Sequence, residues 1–149
     1  MLVYKKGDLL NAHEDVIAHG CNAQGVMGSG VAKAIRDKWP SAYDAYRETY
    51  ETKGLHLGDV IMCQVGDKLI ANCITQENYG RDGEMYVNYD AISKCIENLL
   101  THCDRNAIES VAIPKIGAGL GGGDWLLIEG IIKEIQEQIN TVKVVVYEL

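Results

Sequence analysis

His19-Gly20-Cys21-Asn22-Ala23-Gln24-Gly25-Val26-Met27-Gly28-Ser29-Gly30-Val31-Ala32-Lys33-Ala34 decides how the rest of the chain is read. A short apolar run, Val16-Ile17-Ala18, precedes it, and a helical pattern from Val31 to Trp39 follows. The stretch therefore reads as strand, glycine-rich loop and helix start, with His19 at the strand's end. A helix N-terminus presents unpaired N–H groups and the positive end of the helix dipole. Beside a loop of Gly25, Gly28 and Gly30, whose backbone can approach a ligand closely, this makes a main-chain anion site suited to phosphate. A plain strand-to-helix turn is the alternative.

A second stretch repeats the design. Ser110 to Ile113 reads as a strand ending at Pro114, and Gly117-Ala118-Gly119-Leu120-Gly121-Gly122-Gly123 follows before a helix from about Asp124 to Ile139. Gly117-x-Gly119-x-x-Gly122 has the form of a dinucleotide fingerprint. A Rossmann domain needs a further βαβ half after it, and only one strand with Glu148 as its acid follows here, so that fold is not expected. Two anion loops at separate strand ends imply instead a pyrophosphate held between them.

Between the loops, Pro40 interrupts the first helix and Ser41 is placed to cap a second one through Tyr50. Val60 to Val65 and Leu69 to Ile74 read as strands joined through Gly66-Asp67 as a hairpin. Gln76 to Val87 is polar and irregular, and Asn88 is placed to cap a helix with Ile92, Cys95, Ile96, Leu99 and Leu100 on its apolar side. Leu2 to Tyr4, Asp15 to Ala18 and Val142 to Tyr147 complete the strands. Strands alternating with helices imply an α/β layered domain, and the hairpin implies a mixed sheet.

The 149 residues fit one domain, 1–149, with 47% apolar and 23% charged residues, as in an ordinary globular chain. A formal charge of −7 argues against electrostatic capture of long nucleic acids, while main-chain amides remain able to bind a small anion. Five cysteines without zinc spacing, no signal-like N-terminus and no membrane-length apolar run point to a cytoplasmic protein without metal or cofactor. A compact domain without accessory segments is compatible with a monomer.

These motifs resemble a known family. Lys6-Gly7-Asp8-Leu9, then His19-x-Cys21-Asn22-x-Gln24-Gly25-x-Met27-Gly28-x-Gly30, then Ile113-Pro114-x-Ile116-Gly117-x-Gly119-Leu120, and finally Val146-Tyr147-Glu148-Leu149 look like a small single-domain macrodomain. The likeness is to the branch that holds ADP-ribose-1″-phosphate phosphatase and the terminal ADP-ribose–glutamate hydrolase. It implies a three-layer α/β/α fold with a central mixed sheet and a small-molecule ADP-ribose derivative as partner. Asp8 matches the acid that binds the adenine amino group, with Leu9 beside it, and Tyr147 and Leu149 match residues lining the adenine end. Asn22 matches the asparagine near the distal ribose. Gly25, Val26, Met27, Gly28, Ser29, Gly30 and Val31 correspond to the first phosphate loop, and Ile116, Gly117, Ala118, Gly119 and Leu120 to the second.

For chemistry, the resemblance makes His19 a candidate for protonating the leaving oxygen or taking the phosphoryl group, with a strand histidine bonded to backbone as the alternative. Asp124 is a candidate for activating water, with a helix N-cap as the alternative. Arg81 is placed to reach a terminal phosphate and Tyr79 to cover the ribose. The glutamate-type hydrolases use a lysine where this chain has Gln76 and an aspartate where it has Gly121; another hydrolytic branch carries an aspartate where this chain has Ala32. An amide is not a usable nucleophile, so Gln76 is expected to bind the ligand but cannot run a lysine-based covalent mechanism. Hydrolysis of the phosphate monoester of ADP-ribose-1″-phosphate is the expected activity. A non-catalytic ADP-ribose binding module, or hydrolysis of ADP-ribosyl or O-acetyl-ADP-ribose esters, stands as the alternative.

Overall fold

A computed structural model describes residues 2–80 and 82–149. Val16-Ile17-Ala18 does not stop at Ala18. It continues as strand β2 through Asn22 (Val16–Asn22) at the middle of a six-stranded sheet. The other strands are β1 (Leu2–Lys6), β3 (Val60–Val65), β4 (Lys68–Gln76), β5 (Ser110–Ile113) and β6 (Lys143–Glu148), in spatial order β1-β6-β5-β2-β4-β3. Every neighbouring pair is parallel except β3 with β4, the hairpin through Gly66-Asp67. The sheet is therefore mixed, as the hairpin implied.

Helices cover both faces. On β2, Val16 and Ala18 point into a core shared with Ile92, Leu99, Ile128 and Ile132, from helices α3 (Tyr89–Arg105) and α4 (Trp125–Gln138). Ile17 points the other way, towards Ile35 and Ala42 of helices α1 (Gly30–Lys38) and α2 (Pro40–Thr52). Cys21 lies on that same side with Met27 and Tyr46. A central parallel strand buried on both faces reads as a continuous apolar run, and this two-sided burial is why β2 shows no polar alternation. The arrangement is the three-layer α/β/α domain expected.

Two local expectations differ. Ser41 does not cap α2: Pro40 occupies the first turn, where its missing N–H costs nothing, and Trp39 is the capping position without a side-chain bond. Strand β4 runs on to Gln76, beyond the expected end at Ile74, and Gln76 bridges Val87. Asn88 caps α3 as expected, its side-chain oxygen accepting from Ala91 N at 2.9 Å.

Parallel strands place their carboxyl ends on one edge. Lys6, Asn22, Gln76, Ile113 and Glu148 all end there, so both glycine loops start from the same side of the sheet.

Candidate functional site: a cleft between two glycine loops

The first loop leaves β2 at Asn22, whose side chain organises it. Asn22 Nδ2 donates to the Val26 carbonyl at 2.8 Å, and Gln24 N donates to Asn22 Oδ1 at 2.9 Å. The Tyr46 hydroxyl of α2 lies 2.7 Å from the Asn22 carbonyl and 2.9 Å from its Oδ1. Arg47 Nη1 donates to the Gly25 carbonyl at 3.2 Å. Helix α2 thus fixes the loop from beneath. At its far end the Ser29 side chain makes no capping bond to α1, so the open first turn of that helix keeps its donors for a ligand.

The second loop leaves β5 and folds back on itself. Gly123 N donates to the Gly117 carbonyl at 2.9 Å and Gly122 N to that of Gly119 at 3.0 Å. Tyr86 N and Val87 N both donate to the Gly121 carbonyl, at 2.7 and 3.0 Å. Gly117 has φ +79°, and a Cβ there would sit 2.8 Å from Val87 Cγ2 and 2.9 Å from Ile92 Cδ1, so only glycine fits. The amides of Gly28, Gly119 and Leu120 meet no acceptor among the described residues.

The loops face each other. Leu120 Cδ1 reaches to 3.4 Å from where a Cβ on Gly30 would stand. Between them lies a cleft of about 550 Å³, within the usual range for small-molecule sites. Of the expected ligand residues, Asn22, Val26, Gly28, Ser29, Gly30, Val31, Gln76, Ile116, Gly117, Gly119 and Leu120 line it, as does Tyr79. Gly25, Met27 and Ala118 support the loops without lining the cleft; Met27 is fully buried beneath the first one. Arg81 lies outside the described residues.

The residues expected at the adenine end share the sheet edge but stand outside the cleft. The Asp8 carboxylate accepts from Leu10 N at 3.0 Å, capping the short 3-10 turn Leu9–Asn11, and Leu9 is buried against Ile17 and Ile35. The Tyr147 hydroxyl donates to Glu14 Oε1 at 2.6 Å, and Leu149 is fully exposed. Burial works against ionisation of Glu14, but the Tyr147 hydroxyl, the backbone and Lys5 outweigh it and hold the carboxyl below its usual range.

Neither candidate catalytic group enters the cleft. Because β2 continues past it, His19 is a mid-strand residue facing α2, with no solvent exposure. Its Nε2 lies 2.6 Å from Asn72 Oδ1, and Asn72 Nδ2 donates to the Ala42 carbonyl at 3.2 Å. That chain of bonds makes Nε2 the protonated nitrogen of a neutral ring. Burial pushes the imidazolium pKa down to about 4, the Asn72 bond only partly opposing it. Asp124 is the N-cap of α4: its carboxylate accepts from Leu126 N at 3.0 Å, and its own N–H donates to the Tyr89 hydroxyl at 3.0 Å. Asp124 thus takes the N-cap position weighed as its alternative, while His19 bonds to the Asn72 side chain and not to backbone.

Sequence reasoning missed several lining residues, among them Gly20, Cys21, Thr75 and Lys115. Lys115 pairs with Glu148 at 2.9 Å. It could have been found, since it sits inside the Ile113-Pro114-x-Ile116 motif at the cleft's edge. Thr75 could not, because its place depends on a register slip in the sheet. Across the cleft, Gln76 Oε1 lies 3.1 Å from where a Cβ on Gly121 would be, and that Cβ would also meet the Gly117 carbonyl at 2.8 Å. The two positions that hold lysine and aspartate in the glutamate-type hydrolases are therefore neighbours here, and the second has no room for a side chain. Among the described residues no group of three or more His, Cys, Asp or Glu is placed to hold a metal, and no helix is long and apolar enough to cross a membrane.

The chain belongs to the Macro domain family, whose pattern its residues 18–132 match. It is 31% identical to the ADP-ribose 1″-phosphate phosphatase of Scheffersomyces stipitis, over 94% of this chain and 98% of that protein. It is 28% identical to the DNA ADP-ribosyl glycohydrolase of Thermus aquaticus, over 99% of this chain but 41% of that protein, so it spans about two fifths of that relative's length. The solved macrodomain of Thermus aquaticus DarG superposes with a TM-score of 0.87 at 27% identity, covering 100% of this chain and 99% of that one.

Proposed function

We propose that this protein binds ADP-ribose in the cleft between its glycine loops and hydrolyses the phosphate monoester of ADP-ribose-1″-phosphate. The observation that carries the reading is the pairing of two main-chain anion loops across one cavity, in a chain similar over 94% of its length to a phosphatase of that substrate. The diphosphate would lie against the amides of Gly28, Gly119 and Leu120 and the open first turn of α1. These donors would also stabilise charge developing on a phosphoryl group held there.

The chemistry would come from water and preorganised amides rather than from a protein nucleophile. Gln76 offers no nucleophile, and Gly121 admits no carboxylate without movement of the Gly117 carbonyl. With His19 sealed under α2 and Asp124 engaged as a cap, the substrate's own phosphate would serve as the base for the attacking water. Release of orthophosphate from ADP-ribose-1″-phosphate, measured against a no-enzyme control, tests this. Catalysed release supports the phosphatase.

The placement of His19 and Asp124 favours a second reading, an ADP-ribose binding module without turnover. Binding of ADP-ribose with no phosphate release would establish it. Liberation of ADP-ribose from an ADP-ribosylated protein or nucleic acid would place the chain with the glycohydrolases instead.

A further inference from the structure

Motif order places Gly25 in the first phosphate loop, yet it does not line the cleft. It lies instead against helix α2. Its φ is +77°, and a Cβ there would stand 2.7 Å from Tyr50 Cδ2 and 2.9 Å from Arg47 Nη1. Any side chain would lift the loop off the helix, so the helix beneath, and not a ligand above, requires this glycine.

The group that Gly25 seats against is a guanidinium held on three sides. Arg47 Nη1 donates to the Gly25 carbonyl at 3.2 Å, and Arg47 Nε donates to Glu51 Oε1 at 2.8 Å, one turn further along α2. The Tyr50 ring covers the guanidinium, with its centroid 4.9 Å from Cζ. A planar fork with donors at fixed angles can serve a carboxylate and a carbonyl at once, which an ammonium does poorly. Glu51 and Tyr50 order the side chain in advance, so holding the loop costs little further side-chain entropy. Among the described residues, no other charged side chain hydrogen-bonds to the main chain of residues 23–29 or 117–123.

This bond acts on the turn of the loop rather than on its root. Tyr46 holds Asn22, where the loop leaves β2, and Asn22 in turn holds the Val26 carbonyl. Arg47 holds the residue just before Val26, and Gly28, whose amide meets no acceptor among the described residues, follows three positions later. Main-chain donors bind an anion well when they are already set in place; a loop that must order on binding loses affinity to that ordering. Arg47 itself does not line the cleft.

We propose that Arg47 is a positioning residue for the first glycine loop, fixing its turn from α2 in ligand-ready form without touching the ligand. This rests on the ADP-ribose reading given above and deepens it. Removing the guanidinium leaves every donor to the ligand in the chain but makes ordering of the loop part of binding.

Calorimetric titration with ADP-ribose on wild type, Arg47→Ala, Arg47→Lys and Glu51→Ala, beside amide-resolved NMR of each free protein, tests this. Arg47→Ala is expected to weaken ADP-ribose about tenfold, the scale of one charge-assisted hydrogen bond from a side chain 39% exposed. In the free variant the amides of Val26, Met27 and Gly28 shift or broaden while those of β5 and α3 stay in place, and saturating ADP-ribose restores the loop. Arg47→Lys keeps a donor for the carbonyl but no fork, and loses about threefold. Glu51→Ala keeps the Gly25 bond and stays within about twofold of wild type. Undisturbed loop amides in free Arg47→Ala, or unchanged affinity in that variant, would overturn the proposal. So would a Glu51→Ala change as large as that of Arg47→Ala: a loss would point to general damage to α2, and a gain to long-range attraction of the anion. A wild type that does not bind ADP-ribose would instead overturn the ADP-ribose reading, and the loop amides of free Arg47→Ala would still decide whether Arg47 sets the loop.

Discussion

Acidification isolates His19. Its ring is neutral and buried, with a pKa of about 4 against 6.5 for an ordinary histidine, so the unfolded chain takes up a proton that the folded chain refuses. The sign follows directly: stability is full above pH 6.5 and falls as pH drops towards 4. Integrating the proton uptake between pH 7.5 and 5.5 gives a loss of about 1.3 kcal/mol, while the depressed carboxyls of Glu14 and Glu129 begin to contribute only below that window. With a urea m-value of roughly 2 kcal/mol/M, the unfolding midpoint should fall by about 0.7 M. His19→Gln keeps an N–H donor for Asn72 and cannot titrate, so it should flatten the dependence over the same interval. If the ring does not touch substrate, the variant also retains phosphate release within about threefold of wild type. A wild-type midpoint that ignores pH in this window, or a His19→Gln loss of turnover of a hundredfold with binding intact, would refute this placement of the imidazole.

Further outcomes follow from the same geometry. Asp124→Ala removes the α4 cap and should cost about 1 kcal/mol in chemical denaturation while sparing phosphate release, because the carboxylate serves Leu126 N. Gly117→Ala forces a Cβ into a left-handed residue and against Val87 and Ile92. The conformational and packing costs together are roughly 2–5 kcal/mol, visible as a lower melting temperature with loss of ADP-ribose binding. Tyr46→Phe deletes the hydroxyl that holds Asn22 from α2, and should cost about 1–3 kcal/mol in urea denaturation and weaken ADP-ribose binding by loosening the first loop.

The layers, the hairpin and both loops were legible because each has a local cause: alternating apolar periods, a Gly66-Asp67 turn, and glycines at strand-to-helix junctions. Asn88 and Asp124 were legible as caps for the same reason. His19 was not, because Val16-Ile17-Ala18 ends in a histidine followed by glycine, and nothing local shows that the strand runs on to Asn22. Only the neighbouring Asn72 and the overlying α2 make a buried polar ring tolerable there. Thr75 was hidden for a related reason. A one-residue slip between β2 and β4 decides which way its hydroxyl turns, and that slip is a property of the pair. The residues assigned to the adenine end were read from motif order alone. The fold puts them on the same carboxyl edge of the sheet as the loops, outside the cleft, and ties Asp8 to Leu10 and Tyr147 to Glu14.

Titration of the purified protein with ADP-ribose, followed by amide-resolved NMR, tests the facing loops most directly. Saturable shifts concentrated at Gly28, Gly30, Gly119 and Leu120 are the predicted result. No binding, or shifts confined to one loop or to the far side of the sheet, would contradict it.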